Sequence, residues 1–197
     1  MNVEDLKKSL IDKTENKSTT SKKFKSDLID NFTHENSKDY TCLEVGTHWG
    51  YTTNVLSHLF KDVITIEGVP ENVEKARDIN KDRDNIKYIH DELYLQPWWN
   101  FNLPPYQVAF IDAGHQYHQC VSDTWNVITH CKSDFLYIIY DDFGNPHHSN
   151  GVARCVTDYV KSGHYKLIGG IGEAKGFEFK PNTKLNNTEG VITLWQK

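Results

Sequence analysis

From Thr41 onward, short apolar runs alternate with stretches of helical periodicity, and this alternation constrains the fold more than any other feature of the chain. The runs are "TCLEV", "VITIE", "IKYIH", "QVAFID" and "FLYIIYDD", with helical patterns over 51–60, 70–80, 116–130 and 151–161 after four of them. Runs this short and this apolar suit strands buried on both faces, so the alternation predicts a parallel sheet wrapped by helices. In the tail, "YKLIGG", "GFEFK" and "VITLWQ" add further strand-like runs, and a Gly/Asn-rich connection predicts an antiparallel finish. Ahead of this region, "VEDLKKSLIDK" reads as a short amphipathic helix and "ENKSTTSKK" as a polar connector. "FKSDLIDNFTHEN" reads as a second helix with Phe24, Leu28, Ile29 and Phe32 on one face. A chain of 197 residues is long enough for one domain with a real core.

Ligands of open α/β sheets bind outside the carboxyl ends of the strands, near the point where strand order reverses. Acids stand at that edge after each of the first five runs: Glu44, Glu67, Asp91, Asp112 and the pair Asp141–Asp142. A lone loop acid usually faces water. Five along one edge mark a candidate site. "LEVGTHWGYTT" (43–53) reads as strand, glycine turn and helix start, with Gly46 allowing close backbone approach to a ligand and Gly50 letting the helix begin against the strand. The turn lacks the G-x-G-x-x-G pattern that holds a pyrophosphate, which points to a nucleoside ligand without a diphosphate. Glu67 lies 23 residues after Glu44, where an acid that grips ribose hydroxyls belongs. The plainer alternative is a glycine turn of an ordinary βαβ unit.

Asp112, Asp141 and Asp142 raise a different question. Three carboxylates converging on neighbouring strand ends repel one another, so at least one pKa rises unless a cation is present. Oxygen-only ligands suit Mg²⁺ or Mn²⁺. Alternatively, Asp141 and Asp142 point to opposite sides, as neighbours in a strand do. His115, in "DAGH", stands three residues after Asp112. As a neutral imidazole near pH 7 it could accept a proton, with Asp112 as the competing base. A histidine that merely opens a helix is the other reading, and His118, His147 and His148 are rivals for the role. Trp98 and Trp99, within the irregular stretch 91–105, could wall a pocket, although packing is the more usual use of tryptophan.

A net charge of −5 argues against a nucleic-acid partner, which needs a basic face. The first residues lack the apolar core of a secretory signal, and no apolar stretch approaches membrane-spanning length. Cys42, Cys120, Cys131 and Cys155 form no C-x-x-C pair and read as reduced, mostly buried thiols of a cytoplasmic protein. Without secretion, the N-x-S/T matches at Asn16, Asn31 and Asn186 carry little meaning.

"LEVGTHWGYTT…VITIEGVPENVEKAR", together with "DAGH" and "YDDF", resembles the class I S-adenosylmethionine-dependent methyltransferases over roughly residues 41–160. The likeness is nearest to metal-dependent small-molecule O-methyltransferases of the sugar and catechol types. It implies a Rossmann-like fold over 41–197, with a seven-stranded, mostly parallel sheet, an antiparallel last strand and helices on both faces. Residues 1–40 would form a helical cap or extension. Glu44, Gly46, Thr47, His48 and Thr52 would line the methionine moiety, Glu67 with Gly68 the ribose, and Asp91 and Glu92 the adenine, although His90 stands where the family often has glycine. Asp112, Asp141 and Asp142 would hold the metal, and His115 or Asp112 would act as base. The D-x-x-H arrangement followed by an Asp–Asp pair is more similar to the sugar enzymes than to the catechol type. The expected reaction is therefore methyl transfer to a hydroxyl of a sugar or glycan, with no nucleic-acid or membrane partner and a homodimer compatible. Rival readings are a phenolic acceptor, a metal-dependent hydrolase using the same acids, and a nucleoside-binding module without catalysis.

Overall fold

The computed structural model describes residues 3–11, 19–33, 35–91, 98–145, 147–148, 150–173 and 188–197. The predicted run "GFEFK", Glu92, Asn16, Asn186 and the Trp99 side chain lie outside the described residues. The parallel strands β1 (Thr41–Val45), β2 (Asp62–Glu67), β3 (Ile86–His90), β4 (Val108–Ile111) and β5 (Phe135–Tyr140) coincide with the five apolar runs. β6 (Tyr165–Ile171) and β7 (Gly190–Gln196) complete the sheet, in which β7 runs antiparallel to both of its neighbours. Among the described residues the sheet has seven strands in the order β3-β2-β1-β4-β5-β7-β6. This is the predicted Rossmann-like sheet with its antiparallel last strand.

Side-chain alternation divides the core between the two faces of the sheet. On one face Leu43, Val45, Ile64, Ala109, Ile111 and Ile138 pack with residues of α5 (Tyr117–Thr129) and α6 (Val152–Lys161). On the other, Cys42, Val63, Val108, Phe110, Ile139 and Ile192 pack with α3 (Tyr51–Leu59) and α2 (Lys22–Phe32). Phe24, Leu28, Ile29 and Phe32 are the buried stripe of α2, and the Phe24 ring meets Phe110 edge-on at 5.9 Å. α1 (Val3–Ile11) packs on α2, and α4 (Pro70–Ile79) lies against β2 and β3. β3 departs from two-sided burial: as an edge strand it is only half-covered. Trp98 is buried in the core beside Phe101, so it packs rather than walls a pocket. All four cysteines are free and buried. No described helix is long and apolar enough to cross a membrane.

The chain winds outward through β1, β2 and β3, then crosses to the far side of β1 to lay down β4 and β5. A crevice therefore opens between the carboxyl ends of β1 and β4, where the direction of winding reverses. Gly46 makes the two ends meet. Its φ is +96°, and a Cβ there would stand 2.1 Å from the Asp112 carbonyl oxygen. Gly50 differs from expectation, since the neighbours of an added Cβ would be Asn80 and Ala76 of the α4 region rather than the strand. Its left-handed backbone (φ +79°) and this helix–helix packing, the latter invisible in a local pattern, both call for glycine.

Candidate active site

Backbone hydrogen bonds carry the sheet one residue past its strands and so fix the acids at the edge. Asp112 N–H donates to Val45 O (2.9 Å), Asp141 N–H to Ile111 O (3.2 Å), and Asp91 N–H to Glu67 O (3.0 Å). The crevice widens into a cavity of about 590 Å³. Gly46, His48, Glu67 and Gly68 line one half, and Asp112, His115, Asp141 and Asp142 the other. Thr19, Asn72, Ala113, Gly114 and Glu189 also line it among the described residues.

The first half is organised by two carboxylates. Glu67 accepts from the backbone N–H of His48 (2.7 Å) with one oxygen and from that of Val69 (2.9 Å) with the other. His48 can present its N–H because it adopts φ +48°, a conformation uncommon for non-glycine residues. Each Glu67 oxygen can still accept another bond. Glu44 behaves differently. It is fully buried, its Oε2 accepts from Thr53 Oγ1 and Thr65 Oγ1 (both 2.6 Å), and Oε1 has no partner among the described residues. Thr47 hydrogen-bonds Thr65, extending the chain of hydroxyls. Burial pushes Glu44 up to about 8 against the opposing effect of the two threonines, so its carboxyl carries a proton at neutral pH.

The second half concentrates negative charge. Donor atoms of Asp112, Asp141 and Asp142 lie within 4.8 Å of one another. Asp142 adopts φ +57°, which breaks strand alternation and lets two successive aspartates reach one site. Asp141 is 8% exposed and its Oδ1 has no partner among the described residues. Burial, then the negative charges of Asp112, Glu189 and Asp142, raise its pKa well above the carboxylate range. Burial acts the same way on Asp142, but His115 and the Asn145 amide (2.8 Å to Oδ1) outweigh it and hold Asp142 below the ordinary range. His115 Nε2 lies 2.8 Å from Asp142 Oδ2 and 3.7 Å from Asp112 Oδ1. Asp112 and Asp142 raise His115 to about 10, which favours the imidazolium as long as both carboxylates are free of a cation. The charge follows from the flanking carboxylates, whose distances no sequence pattern reveals.

Of the residues predicted for the site, eight line the cavity: Gly46, His48, Glu67, Gly68, Asp112, His115, Asp141 and Asp142. Glu44 and Thr47 stand behind it in the hydroxyl network. Thr52 bonds the hydroxyls of Thr19 and Thr20 (3.1 Å each), and Asp91 ends β3 outside the lining. Sequence reasoning missed Thr19 and Glu189. Glu189 accepts from the backbone N–H of Ser21 (2.8 Å) and from its hydroxyl, and burial raises its pKa. Its signal was present: in an antiparallel strand the acid at this edge precedes the apolar run.

No protein-family model matches the sequence, and no curated protein is significantly similar to it. Solved structures do share the fold. An O-methyltransferase from Bacillus cereus in complex with SAH aligns over 99% of this chain and 90% of its own, at TM-score 0.66 and 18% identity. An N-methyltransferase from Bradyrhizobium japonicum aligns over 87% and 93%, at TM-score 0.61 and 12% identity. An rRNA methylase from Streptococcus thermophilus aligns over 81% and 88%, at TM-score 0.55 and 14% identity. The chain has the class I methyltransferase fold. One fold serving such differently named enzymes leaves the acceptor to be argued from the site.

Proposed function

We propose that this protein is an S-adenosylmethionine-dependent O-methyltransferase, acting on a hydroxyl of a sugar or glycan with Mg²⁺ or Mn²⁺ at its acidic cluster. The observation that carries this reading is the shared cavity: Glu67 lines one side of the topological crossover, and Asp112, His115, Asp141 and Asp142 line the other. The residues fit both groups. Glu67 keeps acceptor capacity for ribose hydroxyls, with the backbone of Gly46 and Gly68 beside it. Asp141 Oδ1 is a buried oxygen that no donor among the described residues satisfies, within a set of hard oxygen donors suited to Mg²⁺ or Mn²⁺.

When bound, the cofactor supplies an electrophilic methyl and the divalent ion polarises the acceptor hydroxyl. Asp112, Asp141 and Asp142 would hold the ion. Sharing Asp112 and Asp142 with a cation weakens their hold on the His115 proton, and Nε2 can then accept a proton from the acceptor oxygen. Asp112 is the alternative base. The cavity walls align acceptor and cofactor for in-line attack, a form of positioning worth several kcal/mol. The D-x-x-H sequence leading to an Asp–Asp pair favours a sugar hydroxyl over a phenol.

Titration calorimetry with S-adenosylhomocysteine tests the cofactor half. Glu67→Ala should weaken binding by about 1.5–3 kcal/mol, as for a lost hydrogen bond to a charged group. Preferential binding of NAD would overturn the class. Incubation with sugar and phenol panels, read by mass spectrometry, tests the acceptor. Transfer to phenols alone would move the acceptor class, and cofactor-free hydrolysis would identify a metal-dependent hydrolase.

A further inference from the structure

We propose that His115, His148 and Asp142 form a second metal site, for a borderline transition-metal ion such as Zn²⁺ or Co²⁺, adjoining the carboxylate cluster and sharing Asp142 with it. One donor atom from each residue lies within 4.8 Å of the other two, and none of the three is fully buried. Donors about 2.0–2.2 Å from an ion, at tetrahedral or octahedral angles, stand roughly 2.8–3.6 Å apart. The 2.8 Å between His115 Nε2 and Asp142 Oδ2 is the distance of a shared proton and equals the spacing of adjacent ligands, so an ion would take the place of that proton. The two imidazoles stack at 4.1 Å and 22° from parallel, which keeps His148 beside the pair.

The scaffold behind these donors is built. Asn145 holds Asp142 Oδ1 through its side-chain amide (2.8 Å), leaving Oδ2 to face His115. Its backbone N–H bonds Asp142 O (3.1 Å), and its carbonyl accepts from the His148 N–H (2.9 Å). Gly151 presses the start of α6 onto the His115 backbone, since a Cβ there would stand 1.7 Å from the His115 carbonyl oxygen. Supports of this kind tune metal affinity. A second cavity of about 620 Å³ is lined by His115, His147 and His148, Asp142 lines the first, and His115 stands on the wall between them. Two imidazoles and one carboxylate suit Zn²⁺, Co²⁺ or Ni²⁺ and discriminate against Mg²⁺. Filling this site withdraws His115 from proton transfer. A transition-metal ion therefore inhibits the reaction that Mg²⁺ supports, a corollary that rests on the proposed function.

The test is Co²⁺ titration of the metal-free full chain in saturating Mg²⁺, followed by visible absorption. The wild type should take up one Co²⁺ with the bands of a nitrogen-containing site. Losing even an outer-shell partner costs metal affinity about 10–100-fold, so His148→Ala should weaken Co²⁺ at least about tenfold. His148→Glu keeps a donor atom and should bind with an altered spectrum. Binding of S-adenosylhomocysteine and thermal melting, measured on the same variants, report whether the fold survives. Equal Co²⁺ affinity in His148→Ala, an unaltered spectrum in His148→Glu, or one-for-one displacement of Co²⁺ by Mg²⁺ would overturn the second site. Failure of the wild type to bind S-adenosylhomocysteine would instead overturn the methyltransferase reading and leave the cobalt result standing.

Discussion

The imidazole of His115 and the carboxylate of Asp142 stand 2.8 Å apart, on turns that follow two adjacent parallel strands. Asp112 and Asp142 raise His115 from 6.5 to about 10, so the folded state holds this proton more tightly than the unfolded chain. The resulting stability is complete below pH 6.5 and disappears as pH rises to about 10. In EDTA, the melting-temperature gap between wild type and His115→Ala should shrink across that window. Imidazole NMR should show the high midpoint, and Mg²⁺ should lower it. If His115 is the base, His115→Ala also slows methyl transfer by at least about 100-fold while sparing cofactor affinity. Retention of most activity would pass the role to Asp112.

Asp141 is destabilising without a cation, because its carboxyl is buried among like charges. Asp141→Asn should therefore melt higher than wild type in EDTA, by about 2–4 °C for each kcal/mol of relief. Mg²⁺ should stabilise the wild type and leave the variant nearly unmoved. Equal Mg²⁺ shifts in the two proteins would remove Asp141 from the metal site.

Glu44 carries the opposite kind of information, since it reports on burial rather than on ligands. Its pKa rises from 4.5 to about 8 on folding, so its proton contributes stability that declines between those values as pH rises. Glutamine keeps an acceptor for Thr53 and Thr65 but cannot ionise. Glu44→Gln should match the wild type below pH 4.5 and exceed it by a margin that grows up to about pH 8, as measured by thermal melting at each pH. A difference independent of pH would mean that the carboxyl is not protonated in the fold.

Ser21 serves two partners. Its hydroxyl accepts from the Phe24 N–H (3.1 Å) to cap α2 and also bonds Glu189. Ser21→Ala should cost about 0.5–2 kcal/mol in urea unfolding, the range for a lost N-cap, and Ser21→Thr should recover most of it. A cost indistinguishable from zero would deny both contacts.

The first five strands were legible because burial on both faces writes itself as continuous apolar runs, and an acid such as Glu67 or Asp112 ends each run where the crevice opens. β3, half-covered at the edge, shows how far a run's composition can mislead about burial. Glu189 precedes its apolar run instead of following it, because β7 runs opposite to the strands whose ends carry the other acids. Thr19 belongs to a polar connector whose place over the cavity depends on the packing of α2. The partners of Gly50 and the charge of His115 are likewise tertiary facts, set by α4 and by two carboxylates on separate turns.

Ser21 and Glu189 are 168 positions apart, yet their hydrogen bond joins a wall of the cavity to the helix beside it. Closing so long a loop is entropically costly, and contacts of such separation form late. During synthesis β1 to β5 emerge before β7, so the wall that carries Glu189 is the last part of the cavity to be made. The segment around Ser21 must wait for nearly the whole chain before it can be fastened. A ribosome stalled before residue 189 should carry a sheet whose Ser21 remains open to protease, and release of the last strand should protect it.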